Sequence, residues 1–204
     1  MRAFQFEKNF KRPAHDALLS RVVKEFKCPS DYRLNQPKHW IQRTQPSFTT
    51  AFTSYLGVNG LNQNRSDGVL YLDSKIKFKD IEDGLSHTLM VGERPPSWLL
   101  NSGRWYAGEG MNSNGVGDSH LGVQELNSYR RDHFYRLDCG NGPYEFGHVQ
   151  LNNQCDLFHF WSLHQGGAHF LFADNSVRFL KDCARPVMPA LASRAGGETI
   201  PDLD

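Results

Sequence analysis

A β-hairpin predicted near the C-terminus constrains the fold of this chain most strongly. Two runs of four residues, 169–172 and 177–180, flank the turn Ala173-Asp174-Asn175-Ser176. This spacing is typical of two antiparallel strands, and asparagine at position 175 tolerates the left-handed backbone conformation that such turns use. The sequence therefore predicts an antiparallel sheet that contains this hairpin.

The segments before the hairpin predict one helix and several further strands. Apolar residues recur at helical spacing over residues 13–26, and Pro13 suits a first helical turn. Residues 51–93 contain short apolar runs separated by Asn-Gly and Asp-Gly turns, which indicates strands. Within them, residues 75–78 alternate with the period of two that a half-buried strand shows. We therefore expect an N-terminal helix followed by a β-rich region.

The remaining segments complete a prediction of one α+β domain over residues 1–204. Residues 94–157 are irregular and rich in glycine and asparagine, which favours long loops. Residues 158–180 are expected to hold the last strands, and residues 187–195 a short helix that ends before two glycines. No internal repeat or linker marks a second domain, so a single antiparallel sheet with long loops is the expected architecture.

Composition and charge exclude several classes of protein. The chain has 204 residues, of which 39% are hydrophobic, and its 23 basic and 22 acidic residues give a net charge of +1. Such a balance argues against intrinsic disorder and against a general nucleic-acid binder. No run approaches the roughly 18 apolar residues that a membrane-spanning helix needs. A folded domain without nucleic acid as its partner is the expectation.

The four cysteines are compatible with free thiols or with disulfides. Cys139 and Cys155 bracket a loop rich in glycine and asparagine, and a bond between them would add roughly 3 kcal/mol by constraining the unfolded chain. The alternative is a pair of ordinary buried thiols. We favour the disulfide between Cys139 and Cys155, and leave the pairing of Cys28 and Cys183 open.

A group of histidines and carboxylates near the C-terminus is the richest candidate for chemistry. Such residues bind zinc or act as acid and base, but no helical ligand spacing occurs among them. Aromatic residues are interleaved with the histidines, which favours packed strands with locally satisfied imidazoles. We therefore assign no catalytic residue and no metal site to the group, whose members are His148, Asp156, His159, His164, His169 and Asp174.

Two further binding functions receive weak support from the sequence. Four acidic residues, Asp80, Glu82, Asp83 and Glu93, offer oxygen ligands for Ca²⁺, but their spacing is not that of an EF-hand. Four tryptophans and seven tyrosines are enough for a sugar-stacking platform, although core packing is their commoner role. A solvated acidic turn and a packed core are therefore preferred, and no cofactor is assigned other than a possible Ca²⁺.

Several short blocks of the sequence match the pattern of a known protein family. The stretch from Asp83-Gly84 to Val91-Gly92-Glu93 is similar to a D-G-x-S-N-T-h-x-V-G-E block, and His164 and Asp174 have the nine-residue separation of an H-x9-D-G signature. Other matching blocks, in the same order, include Cys28-Pro29-Ser30-Asp31 and the segment 193–198. The resemblance runs from about Phe6 to Ile200. It is to a family of pilin-like proteins of unknown function, which is abundant in planctomycete bacteria and is named for that signature.

The resemblance also says which residues carry the family pattern. It implies that the residues of the family signature have structural roles and are not catalytic. Asn175 stands where glycine is usual, and His87 stands where asparagine is usual. The signature positions are Asp83, Gly84, Ser86, Thr88, Gly92, Glu93, His164, Gly166, Gly167, Asp174 and Asn175.

The resemblance implies a function outside the cytoplasm. Members are similar to type IV pilins and type II secretion pseudopilins, in which an apolar helix anchors an α+β head in the membrane. That helix is absent here, and we expect that a segment before Met1 is missing from the chain. The implied role is a non-enzymatic head in the periplasm or at the cell surface, with other pilin-like, secretion-system or surface proteins as partners. A carbohydrate- or Ca²⁺-binding module is the first alternative, and a metal-dependent hydrolase is the second.

His164 and Asp174 invite interpretation as a catalytic dyad, but strand geometry argues against it. If residues 158–163 ran antiparallel to residues 168–172, the two side chains would lie at opposite ends of a strand, roughly 17 Å apart. We therefore predict separate structural roles. Asp174 should cap its own turn, and His164 should fix the Gly166-Gly167 turn or pack beside Trp161.

Overall fold

A five-stranded sheet lies at the centre of the fold. The structure, a computed structural model, describes residues 16–41, 47–106, 115–127 and 139–199. The strand order is β5-β3-β4-β8-β9, in which β3 and β5 are parallel and all other neighbours are antiparallel. The strands are β3 (Tyr55–Val58), β4 (Leu89–Glu93), β5 (His120–Leu121), β8 (Gly167–Phe172) and β9 (Val177–Lys181).

Two small sheets and short helices surround the central sheet. One small sheet pairs β1 (Lys38–Trp40) with β2 (Phe48–Thr50), and the other pairs β6 (Gln124–Glu125) with β7 (Tyr144–Glu145). The α-helices are α1 (Asp16–Leu19) and α2 (Met188–Ala192). No helix among the described residues has the length and apolar character to cross a membrane. The 3₁₀ helices are Lys24–Phe26, Tyr32–Asn35, Phe78–Asp80, Leu85–His87, Gln154–Phe158 and Asp182–Val187.

Aromatic side chains fill the core against the central sheet. Phe170 on β8 packs edge-on against Phe146, with ring centroids 5.4 Å apart, and also contacts Phe160 at 5.7 Å. Gly92 on β4 faces this cluster, and a Cβ at that position would meet the rings of Phe160 and Phe170. Glycine at position 92 is therefore required by the close approach of β4 to the aromatic core.

The predicted C-terminal elements are confirmed with small changes at their ends. Strands β8 and β9 form the expected hairpin, and Asn175 in its turn has a φ of 69°. The short helix predicted over residues 187–195 is α2, which ends earlier at Ala192. The described part of residues 94–157 is largely loop, as predicted, with β5, β6 and β7 as two-residue strands. These signals were local, which is why the sequence revealed them.

The helix predicted over residues 13–26 is wrong in its extent. Residues 13–15 lie outside the described residues, α1 ends at Leu19, and the chain is extended at Val23 before the 3₁₀ helix Lys24–Phe26. The carbonyl oxygen of Leu19 accepts a hydrogen bond from Ala51, and that of Phe26 accepts one from Ser54. The main chain of this segment therefore bonds to the region around β2 and β3 instead of continuing a helix.

Two predicted strands are also wrong. Residues 75–78 lead into the 3₁₀ helix Phe78–Asp80, because Asp80 accepts a hydrogen bond from the main-chain N–H of Lys77 and turns the chain. Residues 158–163 are not a strand beside β8. Phe158 ends the 3₁₀ helix Gln154–Phe158, and the residues after it form a loop. Ser162 closes the connection to β8 by donating to the carbonyl oxygen of Gly167.

Candidate functional site

Three potential metal- or proton-binding side chains meet beside the central sheet. The Sγ of Cys28 lies 3.5 Å from Nε2 of His164, and Oε1 of Glu93 lies 3.2 Å from the same nitrogen. All three donor atoms lie within 4.8 Å of one another, a grouping of three that no other His, Cys, Asp or Glu side chains of the described ranges form. We call these residues the Cys28–Glu93–His164 cluster.

Main-chain hydrogen bonds position each member of the cluster. Cys28 follows a 3₁₀ helix, and its N–H donates to the hydroxyl of Ser54 at 2.9 Å. Glu93 is the last residue of β4, and its carbonyl oxygen accepts a hydrogen bond from Trp161 at 3.1 Å. His164 lies in the connection to β8, where its N–H donates to Ser162 Oγ at 2.9 Å. The three side chains are therefore fixed by separate elements that the fold brings together.

His169 completes the surroundings of Glu93. Its main-chain N–H donates to Glu93 Oε2 at 2.7 Å, and its Nδ1 lies 3.2 Å from the same oxygen. Its ring lies 5.0 Å from the ring of His164 on one side and 5.0 Å from that of Phe179 on the other. The two oxygens of Glu93 thus face different histidines, so the carboxylate orients both imidazoles.

Burial governs the electrostatics of the cluster. Cys28 is 2% exposed and Glu93 is 2% exposed, whereas the His164 side chain is 31% exposed. Burial raises the pKa of the Cys28 thiol, the Ser30 backbone opposes that shift, and the nearby Glu93 charge adds to it. The pKa of Tyr55 is raised too, by burial first and then by the charges of Cys28 and Glu93. Cys28 and Glu93 are therefore shielded from water, and His164 is the member of the cluster that reaches solvent.

The geometry does not match a nucleophilic relay. In a cysteine–histidine–acid relay, one imidazole nitrogen faces the thiol and the other nitrogen faces the orienting acid. Here, Cys28 and Glu93 both face Nε2 of His164. The raised pKa of the thiol also disfavours the thiolate that would act as nucleophile. The three donor atoms are instead arranged as ligands around one shared position.

The signature residues outside the cluster bond within the fold. Asp83 accepts hydrogen bonds from the main-chain N–H groups of Gly196 and Gly197, and Thr88 donates to the carbonyl oxygen of Gly84. Gly84 and Gly166 have positive φ values of 93° and 79°. Ser86 Oγ lies 3.5 Å from His87 Nδ1, and a Cβ on Gly167 would collide with the main chain at Leu180. These positions hold loops and close contacts.

His164 and Asp174 bond to different partners. Asp174 caps its own turn, as predicted, because its Oδ1 accepts hydrogen bonds from the N–H and the hydroxyl of Ser176. The predicted role of His164 at the Gly-Gly turn or beside Trp161 needs correction, since its imidazole is directed to Glu93 and Cys28. The reason is that residues 158–163 do not pair with β8, which leaves the His164 side chain free to turn toward the end of β4.

The other predicted groups fall into local arrangements. The disulfide joins Cys139 and Cys155, whose Cα atoms are 5.6 Å apart, and Cys28 and Cys183 are free thiols. His159 Nε2 lies 3.1 Å from Asp156 Oδ1, so that histidine is satisfied locally. Of the proposed Ca²⁺ ligands, Asp80 caps a turn and Glu93 faces the histidines. The four acidic residues therefore do not form one site.

Comparison with known protein families identifies the chain at the family level. The sequence profile of a family described as "Protein of unknown function (DUF1559)" matches residues 2–184. The chain belongs to this DUF1559 family. The match contains all three members of the Cys28–Glu93–His164 cluster and both cysteines of the disulfide. Searches of curated proteins and of solved structures found no match to the chain.

The cluster in this DUF1559 chain was not recognised from the sequence as a site. Cys28, Glu93 and His164 each stand in one of the sequence blocks that carry the family resemblance, but His164 lies 71 positions from Glu93 and 136 from Cys28. Metal-ligand motifs are recognised by short spacings, and no such spacing exists here. The only available signal was that three distant blocks each contain one potential ligand.

Proposed function

We propose that this chain is a non-enzymatic head domain that works outside the cytoplasm and builds or decorates a cell-surface assembly. The proposal rests on the similarity of its sequence blocks to those of pilin-like proteins. The single observation that supports it best is the disulfide between Cys139 and Cys155. Disulfides persist mainly in oxidising compartments such as the periplasm and the cell surface.

The roles of the signature residues support a structural function. Asp83, Thr88 and Asp174 accept or donate hydrogen bonds within the chain, and Gly92 allows β4 to approach the aromatic core. Residues that serve catalysis are usually gathered around a cleft. A shallow groove exists at residues 71–76, but its lining residues, Tyr71, Asp73, Ser74, Lys75 and Ile76, include none of the signature positions.

The partners that fit this function are other pilin-like, secretion-system or cell-surface proteins. In type IV pilins and pseudopilins, an apolar helix assembles in the membrane while the head faces outward. The head described here would then contribute its outer loops and the edge strand β9, on which Val177 and Phe179 are exposed. Exposed apolar side chains on an edge strand favour contact with another protein.

The exposed thiol of Cys183 allows a direct test of location. Cys183 is free and exposed, whereas Cys28 is buried. Intact cells that produce the full-length protein would be treated with a charged maleimide that passes outer-membrane pores but not the cytoplasmic membrane. We expect Cys183 to be labelled in intact cells, and a Cys183→Ser variant to remain unlabelled.

A cytoplasmic control protein with an exposed cysteine must stay unlabelled until lysis. Labelling of Cys183 only after lysis would overturn the proposal. Peptide mapping of the same samples without reduction gives a second readout. The Cys139–Cys155 cross-link should be present before cells are opened, and free thiols at both positions would also contradict an extracytoplasmic location.

A further inference from the structure

We propose that Cys28, Glu93 and His164 form a zinc-binding site. Nothing in the family description assigns a ligand to these residues, and the proposal does not depend on the cellular role proposed above. It rests on three observations: the distances between the donor atoms, the chemistry of the donors, and the way the surrounding residues hold them.

The two donor distances from His164 Nε2 match a tetrahedral zinc centre. Zinc lies about 2.3 Å from a cysteine sulfur, about 2.05 Å from a histidine nitrogen and about 2.0–2.2 Å from a carboxylate oxygen. At the tetrahedral angle, these bond lengths place sulfur and nitrogen about 3.5 Å apart, and nitrogen and oxygen about 3.4 Å apart. The observed separations are 3.5 Å for Cys28 Sγ to His164 Nε2 and 3.2 Å for Glu93 Oε1 to the same nitrogen. The third pair, Cys28 Sγ and Glu93 Oε1, lies within 4.8 Å. One ion can therefore contact all three donors once these two side chains move closer together.

The donor set favours zinc over the common metals that prefer oxygen ligands. Thiolate and imidazole are poor ligands for Mg²⁺ and Ca²⁺, which prefer oxygen. One sulfur, one nitrogen and one oxygen are all ligands that zinc accepts in tetrahedral sites. Zinc also binds the thiolate form, and a bound cation favours loss of the thiol proton in spite of burial. A divalent ion would balance the charges that Cys28 and Glu93 place in a buried region.

Neighbouring groups hold the donors by hydrogen bonds of the kind that orient metal ligands. His169 donates its main-chain N–H to Glu93 Oε2 and places Nδ1 3.2 Å from it, which leaves Oε1 directed at the cluster. Ser54 fixes the main chain of Cys28, and Ser162 fixes that of His164. Hydrogen bonds of this kind orient metal ligands and raise affinity.

The fourth position of the proposed centre faces solvent. Cys28 and Glu93 are buried, but the side chain of His164 is 31% exposed and that of His169 is 43% exposed. Three protein ligands with one open position are the pattern of zinc sites that keep a water molecule. We infer that water occupies this position, on the side lined by the two histidines.

Metal binding is tested first on the disulfide-intact protein. The protein, stripped of metal with a chelator and then freed of that chelator, would be titrated with Zn²⁺ in competition with a chromogenic chelator. We expect one Zn²⁺ per chain with a dissociation constant below about 1 μM, which corresponds to a binding free energy of about −8 kcal/mol. Titration with Co²⁺ should give the d–d absorption of a tetrahedral ion and a thiolate-to-cobalt charge-transfer band.

Matched variants locate the site. Cys28→Ser, Glu93→Gln and His164→Gln should each weaken Zn²⁺ binding by at least ~100-fold, because the loss of a group that only hydrogen-bonds to a metal ligand already costs up to about 100-fold. His169→Gln should weaken it by ~10-fold, because it acts through Glu93. The controls are Cys183→Ser and His148→Gln, which remove an exposed thiol and an exposed imidazole outside the cluster. Both controls should bind as the wild-type chain does.

The outcomes separate binding from folding. Circular dichroism would show whether each variant is folded. Should Cys28→Ser fail to fold, the charge-transfer band of the Co²⁺-loaded Cys183→Ser protein decides the question, since Cys28 is then the remaining free thiol. Absence of that band, Zn²⁺ binding weaker than about 100 μM, or unchanged binding in all three ligand variants would overturn the proposal. A cytoplasmic result in the labelling experiment would leave it standing.

Discussion

The Oδ1 atom of Asp83 lies 2.8 Å from the main-chain nitrogen of Gly197, 114 positions further along the chain. The second carboxylate oxygen accepts a hydrogen bond from Gly196 at 2.7 Å. The main-chain N–H groups of Glu82 and Asp83 in turn donate to the carbonyl oxygen of Arg194. The loop before β4 and the segment after α2 are therefore joined at both side-chain and main-chain level.

We expect Asp83→Ala to lower the free energy of unfolding by about 2 kcal/mol. The variant leaves two N–H groups without a charged acceptor, and hydrogen bonds to charged groups contribute about 1.5–3 kcal/mol. Urea denaturation measures the change, with the adjacent exposed Glu82→Ala as the control. Asp83→Asn keeps one acceptor oxygen and should lose less. A stability of Asp83→Ala equal to that of Glu82→Ala would contradict the structural role of this contact.

The turn of the β8–β9 hairpin should show its own pH dependence. Hydrogen bonds from the Ser176 side chain and main chain, with help from Arg178, hold the pKa of Asp174 below its usual range. Because the pKa of Asp174 is lower in the folded protein than in the unfolded chain, its carboxylate stabilises the fold fully above the ordinary aspartate pKa. This stabilisation is lost as the pH falls through the pKa of Asp174 in the folded protein. We expect Asp174→Asn to be less stable than wild type at pH 7.

The difference between wild type and Asp174→Asn should shrink as the pH is lowered below 4. Thermal melts at a series of pH values would measure it. The control is Asp73→Asn, which removes one negative charge from an exposed loop residue. A difference that stays constant down to pH 2 would show that the carboxylate charge is not what stabilises the turn.

A second pH effect is expected at His120 in β5. Burial lowers the pKa of His120 from 6.5 to about 4, so the folded protein keeps this imidazole neutral where the unfolded chain takes up a proton. The free energy of unfolding therefore has its full value with respect to His120 above pH 6.5. It falls by up to about 3 kcal/mol as the pH is lowered toward 4, because the unfolded chain then binds a proton that the folded protein does not. We expect His120→Gln to reduce the fall in unfolding free energy between these pH values.

Comparison of slopes isolates the histidine from other titrating groups. Urea denaturation of wild type and His120→Gln at several pH values gives the slope of unfolding free energy against pH for each protein. A loss of stability that does not depend on pH shifts the whole curve and leaves its slope unchanged. The exposed His148→Gln serves as the control and should leave the slope unchanged. Parallel curves for wild type and His120→Gln would contradict the prediction.

The disulfide should contribute about 3 kcal/mol to stability. Cys139 and Cys155 are 16 positions apart, and a cross-link that closes a loop of this length limits the unfolded chain by about that amount. We expect the double variant Cys139→Ala/Cys155→Ala to unfold at a lower urea concentration than wild type. Cys183→Ser, which removes an exposed thiol, should unfold as wild type does. An unchanged midpoint in the double variant would refute this role.

Local signals account for the parts of the fold that the sequence predicted. The β8–β9 hairpin was predictable because Asp174 bonds to Ser176, two positions away, and Asn175 accepts a positive φ. The helix over residues 13–26 was not, since its carbonyl groups at Leu19 and Phe26 bond to residues about 30 positions later. Helical spacing of apolar residues cannot reveal such competing partners.

At the candidate site, too, the sequence indicated the individual residues but not the long-range contacts between them. Glu93 and His164 belong to separate sequence blocks of the family pattern, and their contact depends on the pairing of β4 with β8. Cys28 joins them through contacts of its segment with Ser54, just before β3, which accepts a hydrogen bond from the Cys28 main chain and donates one to Phe26. No periodicity or short motif encodes these contacts, so the cluster emerges only with the tertiary structure.

The place of β4 in the sheet has a consequence for how the chain folds. Strand β4 lies between β3 and β8, and its Gly92 pairs with Phe170, so half of its hydrogen-bonding partners are synthesised much later. Until β8 arrives, a nascent chain holds β4 with an open edge, a state that is prone to intermolecular pairing. Pairings between strands so distant in sequence also slow folding. The β8–β9 hairpin, which forms from adjacent residues, is then the unit that closes the sheet, and a chain that ends before residue 167 should aggregate instead of folding.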